Sequence, residues 1–205
     1  MRTLAIETAT AACSVALLEG TRVVAGIHEV VGRGHAERLI PMIAELPDRG
    51  RADLILVDCG PGSFTGVRVG LAAARALGLA WHARVHGFSS LALLAASALA
   101  GDEAPEALAA ALIGGHGEIF VQRFTAHPFR AAGDMMSMTP EHAAGSVHDR
   151  LVIGSGAESL VQARLSGDAR PCWPRAADLR LLPAAFTRLP ATPIYGRPPD
   201  ARPAA

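Results

Sequence analysis

The order of strand and helix patterns over the first hundred residues constrains this fold more than any other feature. Three short apolar runs come first, at residues 3–7, 13–18 and 22–31, with turn residues between them. Helical spacing and further strand-like runs then alternate, with helices at 35–46, 65–81 and 91–99 and strands at 53–59 and 84–87. The order βββαβαβα predicts an α/β fold with a mixed sheet, because parallel crossovers place helices on the sheet faces.

Composition changes near residue 101, where Gly, Asp, Glu and Pro replace the apolar pattern. Beyond it, strand patterns cover residues 107–113, 118–124 and 151–154, and a helix pattern covers 157–165. Residues 195–205 are rich in proline and are expected to be extended or loosely ordered. We therefore predict two α/β subdomains, an N-terminal one at 1–101 and a smaller, degenerate one at 102–205.

Charge and cysteine content exclude several classes of function. The 205 residues carry 19 basic and 19 acidic side chains, which disfavours a dedicated nucleic-acid binder. All the basic residues are arginine, so Schiff-base and P-loop lysine chemistry are excluded. Three widely separated cysteines disfavour a disulfide framework or a zinc site. Because no signal peptide or membrane-spanning pattern is visible, we expect a cytoplasmic protein without membrane contact.

A glycine-rich loop, GPGSFTG at residues 60–66, is the first candidate site. It joins a predicted strand to a predicted helix, and free N–H groups at such a junction can bind an anion. The polar end of the first predicted strand could present a carboxylate and two hydroxyls to the same ligand. The alternative for the loop is a tight turn with a helix cap. The weak nucleotide or anion site comprises Glu7, Thr8, Thr10, Gly60, Gly62, Ser63 and Thr65.

Two helices offer a candidate partner interface. Small residues recur every four positions from Gly66 to Gly78, so one helix face permits close approach of either the protein's own sheet or another polypeptide. The helix at 35–46 is apolar on more than one face, which favours a partner. No second histidine accompanies His35 at metal-ligand spacing, so a solvated or capping role is favoured. The predicted interface comprises His35, Leu39, Met42, Ile43, Leu46, Gly66, Arg68, Gly70 and Ala74.

Four segments resemble the TsaB (YeaZ) family in order and spacing: LAIETATAACSVALLEG, GHAERLIPMI, GPGSFTGVRVGLAAARALGLA and VHGFSSLALLA. The resemblance implies the actin-like ATPase (ASKHA, ribonuclease H-like) fold with two subdomains and mixed sheets. It also implies a non-catalytic subunit of the complex that makes threonylcarbamoyladenosine in tRNA, beside the anticodon. The implied partners are a TsaD-like transferase, a TsaE-like ATPase, tRNA through the complex, and a second copy when the protein is alone.

Departures from the family pattern affect the cofactor prediction. The catalytic relative TsaD carries an HxxxH metal motif on the helix that corresponds to residues 35–46, and Leu39 stands here at its second histidine. The first strand ends in Glu7 where the family usually has Asp, and IDARxGEVY becomes LIGGHGEIF. We therefore predict no catalytic or metal-binding residue and no intrinsic cofactor, with ATP and Mg²⁺ acting only at the level of the complex.

Two enzymatic alternatives stay open at this point. An actin-like ATPase or small-molecule kinase would use Glu7, Thr8, Thr10 and the loop at 60–66. A peptidase would need a nucleophile–base or metal pair, and the sequence shows neither. The interaction subunit is the favoured hypothesis.

Overall fold

The computed structural model describes residues 1–101 and 104–196 of the chain. The strands are β1 (Arg2–Glu7), β2 (Ala12–Glu19), β3 (Arg22–Val30), β4 (Leu54–Asp58), β5 (Arg84–Phe88), β6 (Ala107–Ile113), β7 (Ile119–Ala126), β8 (Phe129–Ala131), β9 (Met136–Met138), β10 (Leu151–Ile153) and β11 (Asp168–Arg170). The α-helices are α1 (His35–Glu45), α2 (Phe64–Trp81), α3 (Ser90–Ala98), α4 (Pro140–Ala144) and α5 (Ala157–Arg164). Short 3-10 helices span Pro47–Gly50, Ala176–Leu181 and Ala184–Phe186.

The first sheet has the strand order β3-β2-β1-β4-β5. Strands β1, β2 and β3 pair antiparallel, whereas β4 pairs parallel to both β1 and β5. The antiparallel start follows from a tight turn at Gly20, whose positive φ of 61° suits glycine. The parallel part requires crossovers, which α1 and α2 supply. The predicted order βββαβαβα, the mixed sheet and the α/β class are therefore confirmed.

The second sheet has the order β11-β10-β6-β7-β8, with β9 also paired to β7. Both antiparallel and parallel pairs occur in it, so the prediction of a second mixed sheet is confirmed. The sequence analysis missed β8, β9, β11 and α4. Three-residue strands and a five-residue helix are too short to produce a readable hydrophobic period.

The core is built in layers around α3. Both sheets pack on this helix, which is buried along nearly all of its length, from Ser90 to Ala96. A helix that is apolar on every side is stable only when it is enclosed in this way. Helices α1 and α2 cover the other face of the first sheet, and α4 and α5 cover the other face of the second sheet.

The C-terminal part of the chain returns to the first sheet. The 3-10 helix Ala176–Leu181 packs against β1, β2 and β3, and the amide of Ala176 donates to Ser14 Oγ at 3.0 Å. This segment, which the sequence prediction assigns to the second subdomain, therefore packs on the first sheet and on α3. The predicted boundary itself adjoins residues 102 and 103, and residues 197–205 of the proline-rich tail also lie outside the described residues.

Helix α2 lies unusually close to the turn that follows β1. A Cβ atom added at Gly66 would lie 2.0 Å from the carbonyl oxygen of Thr8, and one at Gly70 would lie 2.4 Å from Thr8 Oγ1. The hydroxyl of Thr8 donates to the carbonyl of Gly66 at 2.8 Å. Of the two alternatives for the small-residue stripe, the protein's own sheet is the one observed.

We expect Gly66→Ala to lower the free energy of unfolding by about 2 kcal/mol, because overpacking against a backbone carbonyl outweighs the better helix propensity of alanine. Denaturant titration measures the change. Gly26→Ala is the matched control, since its added Cβ would meet nothing closer than 3.6 Å. Equal stability of the two variants would contradict this account of the packing.

Candidate functional site

The candidate site lies where β1 and β4 end. Carboxyl ends of parallel strands are the usual position of ligand sites in α/β sheets. The pair Ile6 and Val57 is in register across the two strands, so Glu7 and Asp58 follow side by side. Alternation along the strands turns both carboxyl groups toward α3, where the hydroxyl of Ser90 donates to Asp58 Oδ1 at 2.8 Å. Sequence analysis missed Asp58, although its position at the end of a buried strand was a usable signal.

The polar residues after β1 bond to the protein's own backbone. Glu7 Oε1 accepts from the amide of Ala9 at 2.8 Å, and Thr10 Oγ1 accepts from the amide of Ala12 at 3.3 Å. Glu7 and Thr8 are fully buried, and Thr10 is nearly so. The structure therefore brings these predicted site residues together, but it does so inside the protein rather than around an open cleft.

The loop at 60–66 uses several of its amides internally. The amide of Gly60 donates to Asp58 Oδ1 at 2.6 Å, and the amide of Ser63 donates to the carbonyl of Ala9 at 2.7 Å. Ser63 is the N-cap of α2, and its hydroxyl accepts from the amide of Gly66 at 3.2 Å. Thr65, the other predicted cap, is exposed on the first turn of α2. The alternative of a tight turn with a helix cap is confirmed.

A segment that we call the C-terminal strap, residues 187–196, covers this end of the first sheet. Its Leu189 exchanges two backbone hydrogen bonds with Gly87 of β5, at 2.7 and 3.1 Å. The amide of Ile194 donates to the carbonyl of Cys59 at 2.8 Å. Arg75 of α2 donates to the carbonyl of Ala191 at 2.7 Å. These bonds place the strap against β5, Cys59 and α2, whereas Ser63 and Thr65 of the loop at 60–66 stay exposed.

Burial governs the ionisation of the two carboxyl groups. Both side chains are fully buried. Burial raises the pKa of Glu7 well above its ordinary value, and the neighbouring charge of Asp58 raises it further. Burial also raises the pKa of Asp58 to about 7, against the opposing effect of the hydrogen bonds from Gly60 and Ser90. Glu7 Oε2 and Asp58 Oδ2 have no hydrogen-bond partner among the described residues.

Most of the predicted partner interface is internal. His35, Leu39, Met42, Ile43 and Leu46 are all buried, because α1 is enclosed by the first sheet on one side and by α2 on another. Packing against two neighbours explains the second apolar face without a partner. The predicted interface is therefore wrong for these five residues. It is also wrong for three residues of α2 that face the sheet, Gly66, Gly70 and Ala74.

His35 has a structural role within the chain. Its Nε2 atom lies 3.0 Å from the carbonyl oxygen of Ala12, and the side chain is buried. The predicted solvated or capping role is therefore wrong. Leu39, at the position of the second histidine of the metal motif, is buried in the core. Among the residues that the structure describes, no group of three or more His, Cys, Asp or Glu side chains is placed to hold a metal ion.

Part of the surface that α1 and α2 expose is apolar, and Arg68 is the predicted interface residue that lies on it; exposed charged residues on the same helices include Glu37, Glu45 and Arg75. Phe64 is 58% exposed and Leu79 is 79% exposed on α2, and Ile40 is 50% exposed on α1. We define the outer helix face as Ile40, Phe64, Arg68, Ala72, Ala76 and Leu79. Sequence analysis missed this face, although the spacing of 64, 68, 72 and 76 places these residues opposite the small-residue stripe.

An aromatic cluster lies at the start of the outer helix face. The Arg68 guanidinium carbon is 3.5 Å from the centroid of the Phe64 ring, a cation–π contact. Arg68 also donates to the hydroxyl of Tyr195 in the strap at 3.3 Å, and the Phe64 and Tyr195 ring centroids are 6.2 Å apart. The cluster therefore joins the strap to the first turns of α2.

The cysteines are free thiols. Burial raises the pKa of Cys13 and of Cys59 to about 12. Burial also raises the pKa of Cys172. Thiols with raised pKa values are protonated at neutral pH, so these cysteines are poor nucleophiles in the folded chain.

A family model and several curated proteins are similar in sequence to this chain. The family model of TsaD, tRNA N6-adenosine threonylcarbamoyltransferase, matches residues 23–167. The tRNA threonylcarbamoyladenosine biosynthesis protein TsaB of Escherichia coli K12 is 39% identical over 115 residues, 54% of this chain and 49% of that protein. The Haemophilus influenzae protein of the same name is 40% identical over 115 residues, 52% of this chain and 47% of that protein.

A solved structure, YeaZ from Pseudomonas aeruginosa, superposes with a TM-score of 0.79 at 31% identity, covering 95% of this chain and 100% of that chain. The chain therefore belongs to the TsaB (YeaZ) family and carries the domain that the TsaD family model describes. The predicted family and its α/β fold with two mixed sheets are confirmed. The chain spans about half the length of the curated relatives it matches. None of the helices in the described part of the chain is long and apolar enough to cross a membrane.

We expect Arg75→Ala to loosen the strap, because it removes the charged donor to the carbonyl of Ala191. Hydrogen exchange at the amide of Ile194 should become about fivefold faster, which corresponds to roughly 1 kcal/mol of local opening. Arg188→Ala, at an exposed strap residue, is the matched control. Equal exchange in the two variants would show that Arg75 does not hold the strap.

Proposed function

We propose that this chain is a non-catalytic subunit in the synthesis of threonylcarbamoyladenosine in tRNA, and that it docks a TsaD-like transferase on the outer helix face. The observation that carries the proposal is the exposed apolar surface of α2, on a chain whose relatives are named for this biosynthesis. The proposed role is to hold the transferase in a conformation that is competent for transfer to the adenosine beside the anticodon.

The chemistry of the outer helix face suits a protein partner. Alanines at 72 and 76 leave the α2 backbone accessible, so a partner helix can approach closely. Phe64, Arg68 and Tyr195 supply aromatic and arginine anchors, the residue types that contribute most at protein interfaces. The first turn of α2 has no acidic residue. The face is therefore apolar at its centre, with Arg68 and Arg75 exposed on α2 and Glu37 and Glu45 exposed on α1.

The proposal also includes a second copy of the chain and a TsaE-like ATPase as partners. A second copy of the chain can use the same face when the transferase is absent, because a two-fold contact needs one self-complementary surface. We propose that a TsaE-like ATPase, ATP and Mg²⁺ act at the level of the complex, in the cytoplasm. Glu7 and Thr8 are buried and hydrogen-bonded within the chain, which gives no specific support to the alternative of an ATPase or small-molecule kinase.

The arginines also favour contact with tRNA through the complex rather than through this chain alone. Arg22 adjoins the turn between β2 and β3, and Arg49 and Arg51 lie just before β4, all at the end of the sheet where β1 and β4 begin. Arg33 and Arg68 lie at the opposite end, where these strands finish. These five arginines therefore do not form one basic patch on which an RNA backbone could bind.

We expect Leu79→Glu to weaken binding to the TsaD-like transferase of the same organism at least tenfold, because a charge would be buried in an apolar contact. Calorimetry with the purified transferase measures the effect. The matched control is Leu165→Glu, at a leucine of the second subdomain that is 90% exposed. Equal affinities of the two variants would reject the outer helix face as the docking surface.

Gly70 is also a predicted interface residue, but Gly70→Leu is not a suitable variant for testing the docking surface. Gly70 packs against Thr8 and Val57, so a larger side chain would disrupt the core before it reached any partner. Circular dichroism should confirm that both leucine variants keep the fold before their affinities are compared.

A further inference from the structure

Two fully buried carboxyl groups stand side by side in the first sheet. A row of five side chains crosses the sheet at this level, formed by His28, Ser14, Glu7, Asp58 and Phe88. Its ionisable members are His28 on β3 and, on the neighbouring strands β1 and β4, Glu7 and Asp58, both completely inaccessible to solvent. We call Glu7 and Asp58 the carboxyl pair. Two ionised carboxylates in such a site would repel each other without screening by water.

The hydrogen-bond donors around the carboxyl pair are already used on one oxygen of each group. Glu7 Oε1 accepts from the amide of Ala9. Asp58 Oδ1 accepts from the amide of Gly60 and the hydroxyl of Ser90. The other two oxygens, Glu7 Oε2 and Asp58 Oδ2, are buried without a partner in the described part of the chain. An unprotonated pair would leave both of these acceptors unsatisfied, which is costly in a protein interior.

Among the described residues, no basic side chain donates a hydrogen bond to either member of the carboxyl pair. His28 of β3 is separated from Glu7 by Ser14, and burial lowers the pKa of His28. On β2, the Ser14 hydroxyl donates to Ile27 and accepts from Ala176. Two buried thiols adjoin the pair, Cys13 on β2 and Cys59 after β4. Helix α3 contributes the neutral Ser90, and α2 contributes the backbone of Gly66 and the Arg75 guanidinium, which bonds to the strap. The nearby 3-10 helix carries Asp178, which bonds to Ser97, and exposed Arg180, with exposed Arg175 just before it.

We propose that Glu7 and Asp58 share one proton between Glu7 Oε2 and Asp58 Oδ2, and that this proton fastens the carboxyl ends of β1 and β4 together. One carboxyl group donates and the other accepts, so a single proton satisfies both unpartnered oxygens. When the proton leaves to water, two negative charges face each other in a buried site. The strand ends then separate or admit solvent, which makes this end of the sheet sensitive to pH.

The direction of the pH effect follows from the raised pKa values of both groups. Because the folded chain binds these protons more tightly than the unfolded chain, their stabilising effect is fully present below the ordinary carboxyl pKa of about 4. It is lost as the pH rises through the folded values, of which that of Asp58 is about 7. Stability contributed by the pair therefore falls as the pH rises from about 4 to about 7, and its contribution is lost above that range.

The test is the pH dependence of unfolding in Glu7→Gln, whose side-chain amide can donate permanently to Asp58 Oδ2. Denaturant titrations from about pH 5 to pH 6.5, where the folded chain keeps the shared proton and the unfolded chain has lost it, give the unfolding equilibrium constant of each protein. The wild-type constant should rise about tenfold more per pH unit than that of the variant, since each extra bound proton contributes one factor of ten. Histidine and cysteine contributions are common to both proteins and cancel in the comparison.

Glu158→Gln is the matched control, because Glu158 is exposed on α5 and should keep the wild-type slope. A Glu7→Gln slope equal to that of wild type would overturn the proposal. Infrared spectroscopy of the wild-type protein near pH 7 needs no variant and protects the test against a variant that does not fold. A protonated carboxyl C=O absorption is expected there, and its absence would overturn the shared proton.

Discussion

The close approach of α2 to the turn after β1 is the contact on which the rest of the structure depends. Gly66 and Gly70 let the helix backbone reach Thr8, whose hydroxyl bonds to the helix in return. A helix pressed against the sheet by one stripe must present the opposite stripe to solvent. The same contact closes the loop at 60–66 over the ends of β1 and β4, and it brings Arg75 within reach of the strap. Burial of the carboxyl pair and exposure of the outer helix face are therefore two consequences of one packing arrangement.

The ends of the parallel strands and the exposed apolar surface of α2 lie in different places on this protein. The carboxyl ends of parallel strands usually form an open ligand site. Here the strap and the loop at 60–66 fill that position, and the polar groups beneath them bond to backbone amides. Apolar surface remains instead on the side of α2 that faces away from the sheet. The proposed docking of a protein partner uses this apolar surface and not the strand ends.

The fold was more predictable than the site, and particular residues show why. Hydrophobic periodicity located the elements of the first sheet to within about two residues, because each one is long enough to complete its period. Ser63 was predictable as a helix cap, since capping depends on neighbours in sequence. The interface prediction was wrong for Leu39 and Gly70 because an apolar or small residue has the same pattern whether it meets its own core or a partner. Asp58 was missed because its significance comes from Glu7, which is distant in the chain and adjacent in the sheet.

Local patterning was enough to establish the α/β class, the order of the first eight elements and the family, since each of these is written in short stretches of neighbouring residues. The folded chain was needed for everything that joins distant stretches. Only packing showed that α1 is covered on two sides, that Glu7 and Asp58 are paired, and that residues 176–194 return to the first sheet. The physical reason is that hydrophobic periodicity shows which residues are removed from water. Which element covers those residues depends on contacts between parts of the chain that are distant in sequence.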